Sequence, residues 1–249
     1  MPLNKQNVVL ACHITGVYDV NRNVVLNNDD YSIIKPWADS LIKHQINGIV
    51  FHNSLSDQTC KQYSNEFISF QKIEYDIRFN PNVFRYIVYN DFLNKHQHEI
   101  NSLFITDVSD VVMLKNPFED ELFNHHPQHI FCGDEPKILA NDWMQKHCTH
   151  LRSKLLDFEG FEKTHAQATL LNCGIIGGEI SIMKNFIEKL SQLHQLHNVN
   201  NLTAYTGDMG GFNYIVRTFF NDKIIHGIPV NTVFKAYENH RTDCWFQHK

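Results

Sequence analysis

The chain has 249 residues, a length that suits one large α/β domain. Its apolar share of 43%, with 20% charged residues, is ordinary for a globular protein and is enough to build a real core. The formal net charge of −5 argues against nucleic acid as a partner, because phosphate binding needs a basic face.

Short apolar runs alternate with longer amphipathic segments along the chain. Runs of strand length predict β-strands at residues 8–12, 48–52, 67–70, 103–106, 129–132 and about 173–176. Helical spacing of apolar residues predicts helices at 29–44, 82–93, 181–193 and 207–219, the second of them after Pro81. We expect the polar segment 136–165 to form a helical excursion over the ligand site, and the end of the chain to be irregular.

This alternation predicts the fold class. Strand–helix–strand order is typical of an α/β domain with a mostly parallel central sheet and helices on both faces. The sequence contains no Gly/Ser linker, no low-complexity tract and no internal repeat. Residues 1–249 are therefore expected to form a single domain.

The cysteines and the apolar runs indicate the cellular compartment of the protein. The six cysteines include no C-x-x-C pair and no framework spacing, which indicates reduced thiols and predicts a cytoplasmic protein. The first apolar run, residues 8–12, is too short for a signal peptide. No stretch approaches the roughly 20 apolar residues that a membrane span needs. We expect an enzyme that, if it works at a membrane, attaches peripherally.

Two carboxylates follow the predicted strand at 103–106. In an open α/β sheet, ligands bind beyond the carboxyl ends of the strands, and this strand delivers Asp107 and Asp110 to that edge. Two carboxylates across a turn can share Mg²⁺ or Mn²⁺ together with diphosphate oxygens. The alternative is that Asp110 caps a turn and Asp107 is a solvated residue at the end of the strand.

Residues 104–118, from Phe104 to Phe118, resemble the metal-binding block of GT-A-fold glycosyltransferases. In that block an apolar strand enters an acidic turn, an apolar run follows, and a proline closes the segment. The resemblance is closest to the glycogenin-like, the bacterial lipooligosaccharide galactosyltransferase-like and the plant cell-wall transferase groups. It implies a GT-A-like (Rossmann-like) domain in which Asp110 binds the metal. Asp107 is separated from Asp110 by one residue more than in the usual D-x-D. It therefore either binds the metal together with Asp110, reaches the metal through water or binds the ribose.

Two later blocks resemble the acceptor side of the same families. Residues 170–178 are similar to an Asn-x-Gly strand, which implies that Asn172 hydrogen-bonds a sugar; the alternative is a glycine-containing strand with a Gly-Gly turn. Residues 206–213 are similar to an Asp-Gln block with Met209 in place of the glutamine. They imply that Asp208 orients or deprotonates an acceptor hydroxyl; the alternative is an acid in the first turn of a helix.

The C-terminus supplies the remaining metal ligand that the resemblance implies. A late histidine is the third ligand in these families, and a neighbouring lysine neutralises the diphosphate, which points to His248 and Lys249. Neutral imidazole is a reasonable ligand of Mn²⁺. His240 is the competing candidate, and His226 is a more distant third.

The resemblance also implies where the nucleotide binds. The loop after the first strand would hold base and ribose, and a basic position in the helix before the acidic turn, Arg85, would be directed at the nucleotide sugar. Tyr18 is available to stack on a base. A plain surface loop and a surface arginine are the alternatives. The nucleotide-binding candidates in this loop are Thr15, Gly16, Tyr18, Asp19 and Arg22.

Together these blocks predict a metal-dependent glycosyltransferase of polysaccharide biosynthesis. It would move a sugar from a nucleoside diphosphate sugar, a UDP-sugar foremost, to a glycan or another hydroxyl acceptor. Residues of about 1–115 would bind the nucleotide, and those of about 116–249 the acceptor. A sugar-nucleotidyltransferase is one alternative, but the loop 13–18 has one glycine and no basic residue. A non-catalytic nucleotide-sugar- or carbohydrate-binding protein on this fold is another.

Overall fold

The computed structural model describes residues 6–18, the backbone of Asp19, and residues 24–203, 205–238 and 240–249. The strands are β1 (Gln6–His13), β2 (Tyr18–Asp19), β3 (Val24–Val25), β4 (Asn47–His52), β5 (Ile68–Lys72), β6 (Ile100–Thr106), β7 (Val111–Met113), β8 (Ile130–Ile138), β9 (Thr169–Glu179), β10 (Ile224–His226) and β11 (Phe246–His248). The helices are α1 (Lys35–Lys43), α2 (Asp57–Tyr63), α3 (Pro81–His96), α4 (Glu121–His125), α5 (Asp142–His147), α6 (Thr149–Lys154), α7 (Phe158–Thr164), α8 (Ile180–His197) and α9 (Asp208–Phe220).

A seven-stranded sheet forms the centre of the domain, in the order β10–β8–β9–β6–β1–β4–β5. The neighbours β1, β4, β5 and β6 are parallel to one another, and β10 is parallel to β8. Strand β9 runs antiparallel to both of its neighbours, β6 and β8. Two small antiparallel sheets, β2 with β3 and β7 with β11, lie outside it.

Both faces of the central sheet are buried, as the continuous apolar runs of its strands predict. Successive residues of a strand point to opposite faces. In β1, Val8 and Leu10 pack into a core with residues of α3, α8 and α9, whereas Val9 and Ala11 pack into a second core with residues of α1 and α4. This arrangement confirms the predicted fold class, a mostly parallel sheet in a single α/β domain, consistent with a Rossmann-like fold.

Local sequence explains where the helix before the acidic turn begins. Helix α3 begins at Pro81, and the side chain of Asn80 accepts a hydrogen bond from the backbone N–H of Asn82, which caps the helix. Arg85 lies on the first turns of this helix, so the cap fixes its position beside the end of β6. The eight buried residues of α3 include Arg85 itself.

Several predicted elements need correction. The helix expected at 29–44 begins only at Lys35, where Pro36 occupies its first turn. The end of the chain was expected to be irregular, yet Phe246–His248 forms a strand that pairs with β7. Trp245 and Phe246 are both fully buried and pack against Phe104, so apolar burial anchors this end. The segment 136–165 does contain helices, the three short ones α5, α6 and α7.

Candidate functional site

The acidic turn lies where β6 ends. The backbone N–H of Asp107 donates to the carbonyl of Gly174 at 2.9 Å, which ties the turn to the neighbouring strand β9. Strand β7 begins directly after Asp110, and the backbone N–H of Lys249 donates to the Asp110 carbonyl at 2.9 Å. The turn is therefore held between the central sheet and the C-terminus.

Strand β11 brings His248 to this turn. The residue pairs with Val111 across the small sheet, and its backbone N–H donates to Thr232 Oγ1 at 3.2 Å. Its imidazole is buried and packs edge-on against Phe234, with ring centroids 4.6 Å apart. Burial lowers the pKa of His248, so the ring is neutral near pH 7, which is the form that binds a metal.

Asp107, Asp110 and His248 form a candidate metal triad. One ligand atom from each lies within 4.8 Å of the others, and His248 Nε2 is 4.0 Å from Asp110 Oδ2. Two carboxylates and an imidazole form a donor set that suits Mn²⁺, and Mg²⁺ through its carboxylates.

The backbone at Gly174 leaves this space open. A Cβ added there would lie 2.5 Å from His248 Cε1, 2.8 Å from His248 Nε2 and 2.9 Å from Asp107 Oδ2. Any larger residue would collide with two of the three candidate ligands, so glycine is needed for the close approach of β9. The residues present fit a divalent cation.

Arg85 connects the triad to a buried acid. Its Nη1 donates to Asp107 Oδ1, and its Nη2 lies 3.8 Å from Asp208 Oδ2. Burial disfavours a charged guanidinium, but Asp107, together with Tyr86, Cys173 and Asp208, outweighs that effect and raises the pKa of Arg85 well above its usual value. The guanidinium therefore stays charged between two acids.

Asp208 begins α9 and is enclosed by protein groups. Its Oδ1 accepts a hydrogen bond from Thr206 Oγ1 at 2.6 Å and lies 3.0 Å from His147 Nε2. Burial raises the pKa of this carboxyl, yet His147 and Arg85 outweigh burial and hold the pKa well below its usual range. The ring of His147 in turn stacks on Trp143 of α5, 4.4 Å between centroids. The predicted helical excursion thus reaches Asp208 through His147.

Asn172 meets a second buried acid that sequence reasoning did not single out. Its Nδ2 donates to Glu135 Oε1 at 2.9 Å, and its Oδ1 accepts from the backbone N–H of Gly174 at 2.7 Å. Glu135 is 6% exposed and also accepts from Lys137 Nζ at 3.0 Å. It lies in β8, beyond the predicted strand 129–132. The same rule that selected Asp107, an acid just after an apolar run, would have selected Asp134 and Glu135 together.

The two competing histidines lie in other environments. The Nδ1 of His226 is 2.8 Å from Asp134 Oδ2, so this ring is paired with a different carboxylate. His240 is exposed. Among the described residues, the group that brings acids and a histidine within metal-binding distance contains His248 and neither competitor.

The predicted nucleotide loop follows β1 at the same edge of the sheet, because β1 and β6 are parallel neighbours. The backbone N–H of Thr15 donates to Asn53 Oδ1 at 2.9 Å, and Gly16 has a φ of 74°, a conformation that favours glycine. Tyr18 is 52% exposed. The side chain of Asp19 and all of Arg22 lie outside the described residues.

No protein-family model matches this chain, and no curated protein sequence matches it. In the described part of the chain, no helix is long and apolar enough to cross a membrane. All six cysteines are free thiols, as their spacing predicts. The functional interpretation therefore depends on the residues of the site itself.

Proposed function

We propose that this protein is a metal-dependent glycosyltransferase that moves a sugar from a nucleoside diphosphate sugar, a UDP-sugar foremost, to a hydroxyl of a glycan acceptor. One observation carries the proposal. Asp107 and Asp110, chosen from the sequence as acids beyond a strand, lie within metal-binding distance of His248, a residue from the far end of the chain. A site at the carboxyl edge of an α/β sheet is where such a fold binds its ligands.

Asp107, Asp110 and His248 would hold Mn²⁺ or Mg²⁺, which when bound offsets the negative charge on a departing nucleoside diphosphate. The loop at Thr15 and Gly16 would bind the nucleoside at the same edge, and Tyr18, which is about half exposed, would stack on the base.

The acceptor side would be formed by β9. Asn172 Nδ2 donates to Glu135, and an amide nitrogen carries two hydrogens, so its second N–H can donate to a sugar hydroxyl. Lys249 is half-buried beside Asp110 and would offset diphosphate charge from the C-terminal strand. These contacts would orient the two substrates across the cation site.

A thermal-shift screen tests the proposal. Nucleoside diphosphates are added with and without Mn²⁺, and the melting temperature is recorded. A ligand at a hundred times its dissociation constant stabilises a native protein by about 2.7 kcal/mol. For a chain of this size that is a rise of roughly 5–10 °C. The rise should require Mn²⁺ and be absent in Asp110→Asn.

Asp91→Asn is the matched control, because it removes an exposed carboxylate from α3 by the same substitution. It should keep the full shift. A chain that no nucleoside diphosphate stabilises in the presence of Mn²⁺ would overturn the proposal. A rise in melting temperature that needs no metal and persists in Asp110→Asn would support nucleotide binding but refute the assignment of the metal site.

A further inference from the structure

The resemblance implies that Arg85 contacts the nucleotide sugar. In the structure, however, its guanidinium faces groups of the protein itself. Its Nε donates to the Asn82 carbonyl at 3.0 Å, and its Nη2 donates to the Tyr86 hydroxyl at 3.1 Å and the Cys173 carbonyl at 3.4 Å. Its Nη1 donates to Asp107 Oδ1. Only 8% of the residue is exposed. Each nitrogen of this guanidinium therefore has an acceptor within the protein.

Asp208 forms the back of this arrangement. Its Oδ2 lies 3.8 Å from Arg85 Nη2 and 3.6 Å from the Cys173 thiol, and its Oδ1 accepts from Thr206 and faces His147. Both oxygens thus have protein partners, and the residue is 7% exposed. A buried carboxylate in this position balances the charge of the guanidinium that it faces.

The two oxygens of Asp107 have different surroundings. Oδ1 accepts from Arg85, whereas Oδ2 borders the space above Gly174 that His248 Nε2 also borders. Anchoring one oxygen of a carboxylate fixes the direction of the other. We propose that Arg85, backed by Asp208, is a positioning residue that orients Asp107 so that its Oδ2 faces the divalent-cation site. This inference rests on the proposed function, because that function supplies the cation.

The choice of substitution decides what can be learned. Removing the guanidinium charge would have two opposed effects on cation binding. Cation binding would weaken because Asp107 is no longer positioned, and it would strengthen because Arg85 no longer repels the cation. Arg85→Lys keeps the positive charge and removes the planar fork of donors. A loss of cation affinity in Arg85→Lys therefore reports the positioning effect.

The experiment is a Mn²⁺ titration followed by electron paramagnetic resonance, on the full chain without nucleotide. Residues that orient a metal ligand typically contribute on the order of 10–100-fold in affinity. We expect a loss of that size in Arg85→Lys. Arg152→Lys is the matched control, because Arg152 also makes a bidentate ion pair, with Glu162 at 2.7 and 2.8 Å, outside the site. It should bind Mn²⁺ like the wild type.

The outcomes separate the inference from the proposed function. Wild-type affinity in Arg85→Lys, with weaker UDP binding at saturating Mn²⁺, would make Arg85 a substrate contact and overturn the inference alone. A wild-type chain that binds no Mn²⁺ would overturn both. Thr206→Val tests the part of Asp208, because it removes one hydrogen bond from Asp208 and keeps its charge. Mn²⁺ affinity should fall in that variant too, and unchanged affinity in it and in Arg85→Lys would refute the positioning role.

Discussion

Replacing Gly174 by alanine perturbs the candidate metal triad with a single methyl group. The added Cβ would lie 2.5 Å from His248 Cε1 and 2.9 Å from Asp107 Oδ2, distances that real Cβ atoms essentially never show. His248 is buried on β11 and Asp107 is held by Arg85, so both ligands have little room to move. The methyl group should therefore push them out of the geometry that a shared cation requires.

Two magnitudes follow from this collision. Overpacking a well-packed site costs typically 1–3 kcal/mol, which for a chain of this size lowers the melting temperature by roughly 2–12 °C. Displacing a metal ligand should cost at least about tenfold in Mn²⁺ affinity, or about 1.4 kcal/mol. Calorimetric or resonance titration with Mn²⁺ measures the second effect, and a melting curve without metal measures the first.

Two other glycines provide controls for Gly174→Ala. Gly48→Ala would place its Cβ 2.7 Å from Leu41 Cδ1 under α1, so it should lower stability and leave Mn²⁺ affinity unchanged. Gly160→Ala meets no described atom within 4 Å and should change neither property for the worse. If Gly174→Ala binds Mn²⁺ as tightly as the wild type, the cation does not occupy the space between Asp107 and His248, and the assignment is refuted.

Two further predictions concern histidines. His248→Ala should weaken Mn²⁺ binding by at least about tenfold, the loss expected for a metal ligand. His240→Ala should leave Mn²⁺ binding unchanged, because His240 is exposed and lies outside the triad. The reverse result in the same titration would make His240 the metal ligand. Burial lowers the pKa of His194 to about 3, below its unfolded value of about 6.5. The contribution of the neutral ring to the free energy of unfolding is therefore fully present above pH 6.5. It falls by about 1.4 kcal/mol per pH unit as the pH drops towards 3. His194→Gln should therefore lose less melting temperature between pH 7 and pH 5 than the wild type, and an equal loss would show that His194 does not titrate this way.

Much of the fold could be predicted from the sequence because the strands of the central sheet are buried on both faces. Their apolar runs, such as residues 8–12 and 103–106, carry a strong local signal. Strand β11 carries none, since it is only three residues long. It forms because Trp245 and Phe246 enter the core around Phe104, which is a tertiary effect. Helix α2 escaped prediction for a different reason: it has no buried residue, so its sequence lacks the apolar periodicity that indicates a helix.

The candidate site divides in a similar way. Asp107 and Asp110 follow an apolar strand, so their place at the sheet edge was a local prediction. The association of His248 with them came from a resemblance and depends on the pairing of β11 with β7. The ion pair of Arg85 with Asp208 joins two helices that are distant in sequence, and no spacing rule predicts it. The same guanidinium also donates to the carboxylate of Asp107.

The most direct test of the account is the release of nucleoside diphosphate from a panel of nucleoside diphosphate sugars, UDP-sugars first, with Mn²⁺ and a mixture of glycan acceptors. The account predicts release from at least one donor, stopped by chelation of the metal and lost in Asp110→Asn, and retained in Asp91→Asn. Release that continues in Asp110→Asn, or no release from any donor with Mn²⁺ present, would contradict a metal-dependent glycosyltransferase.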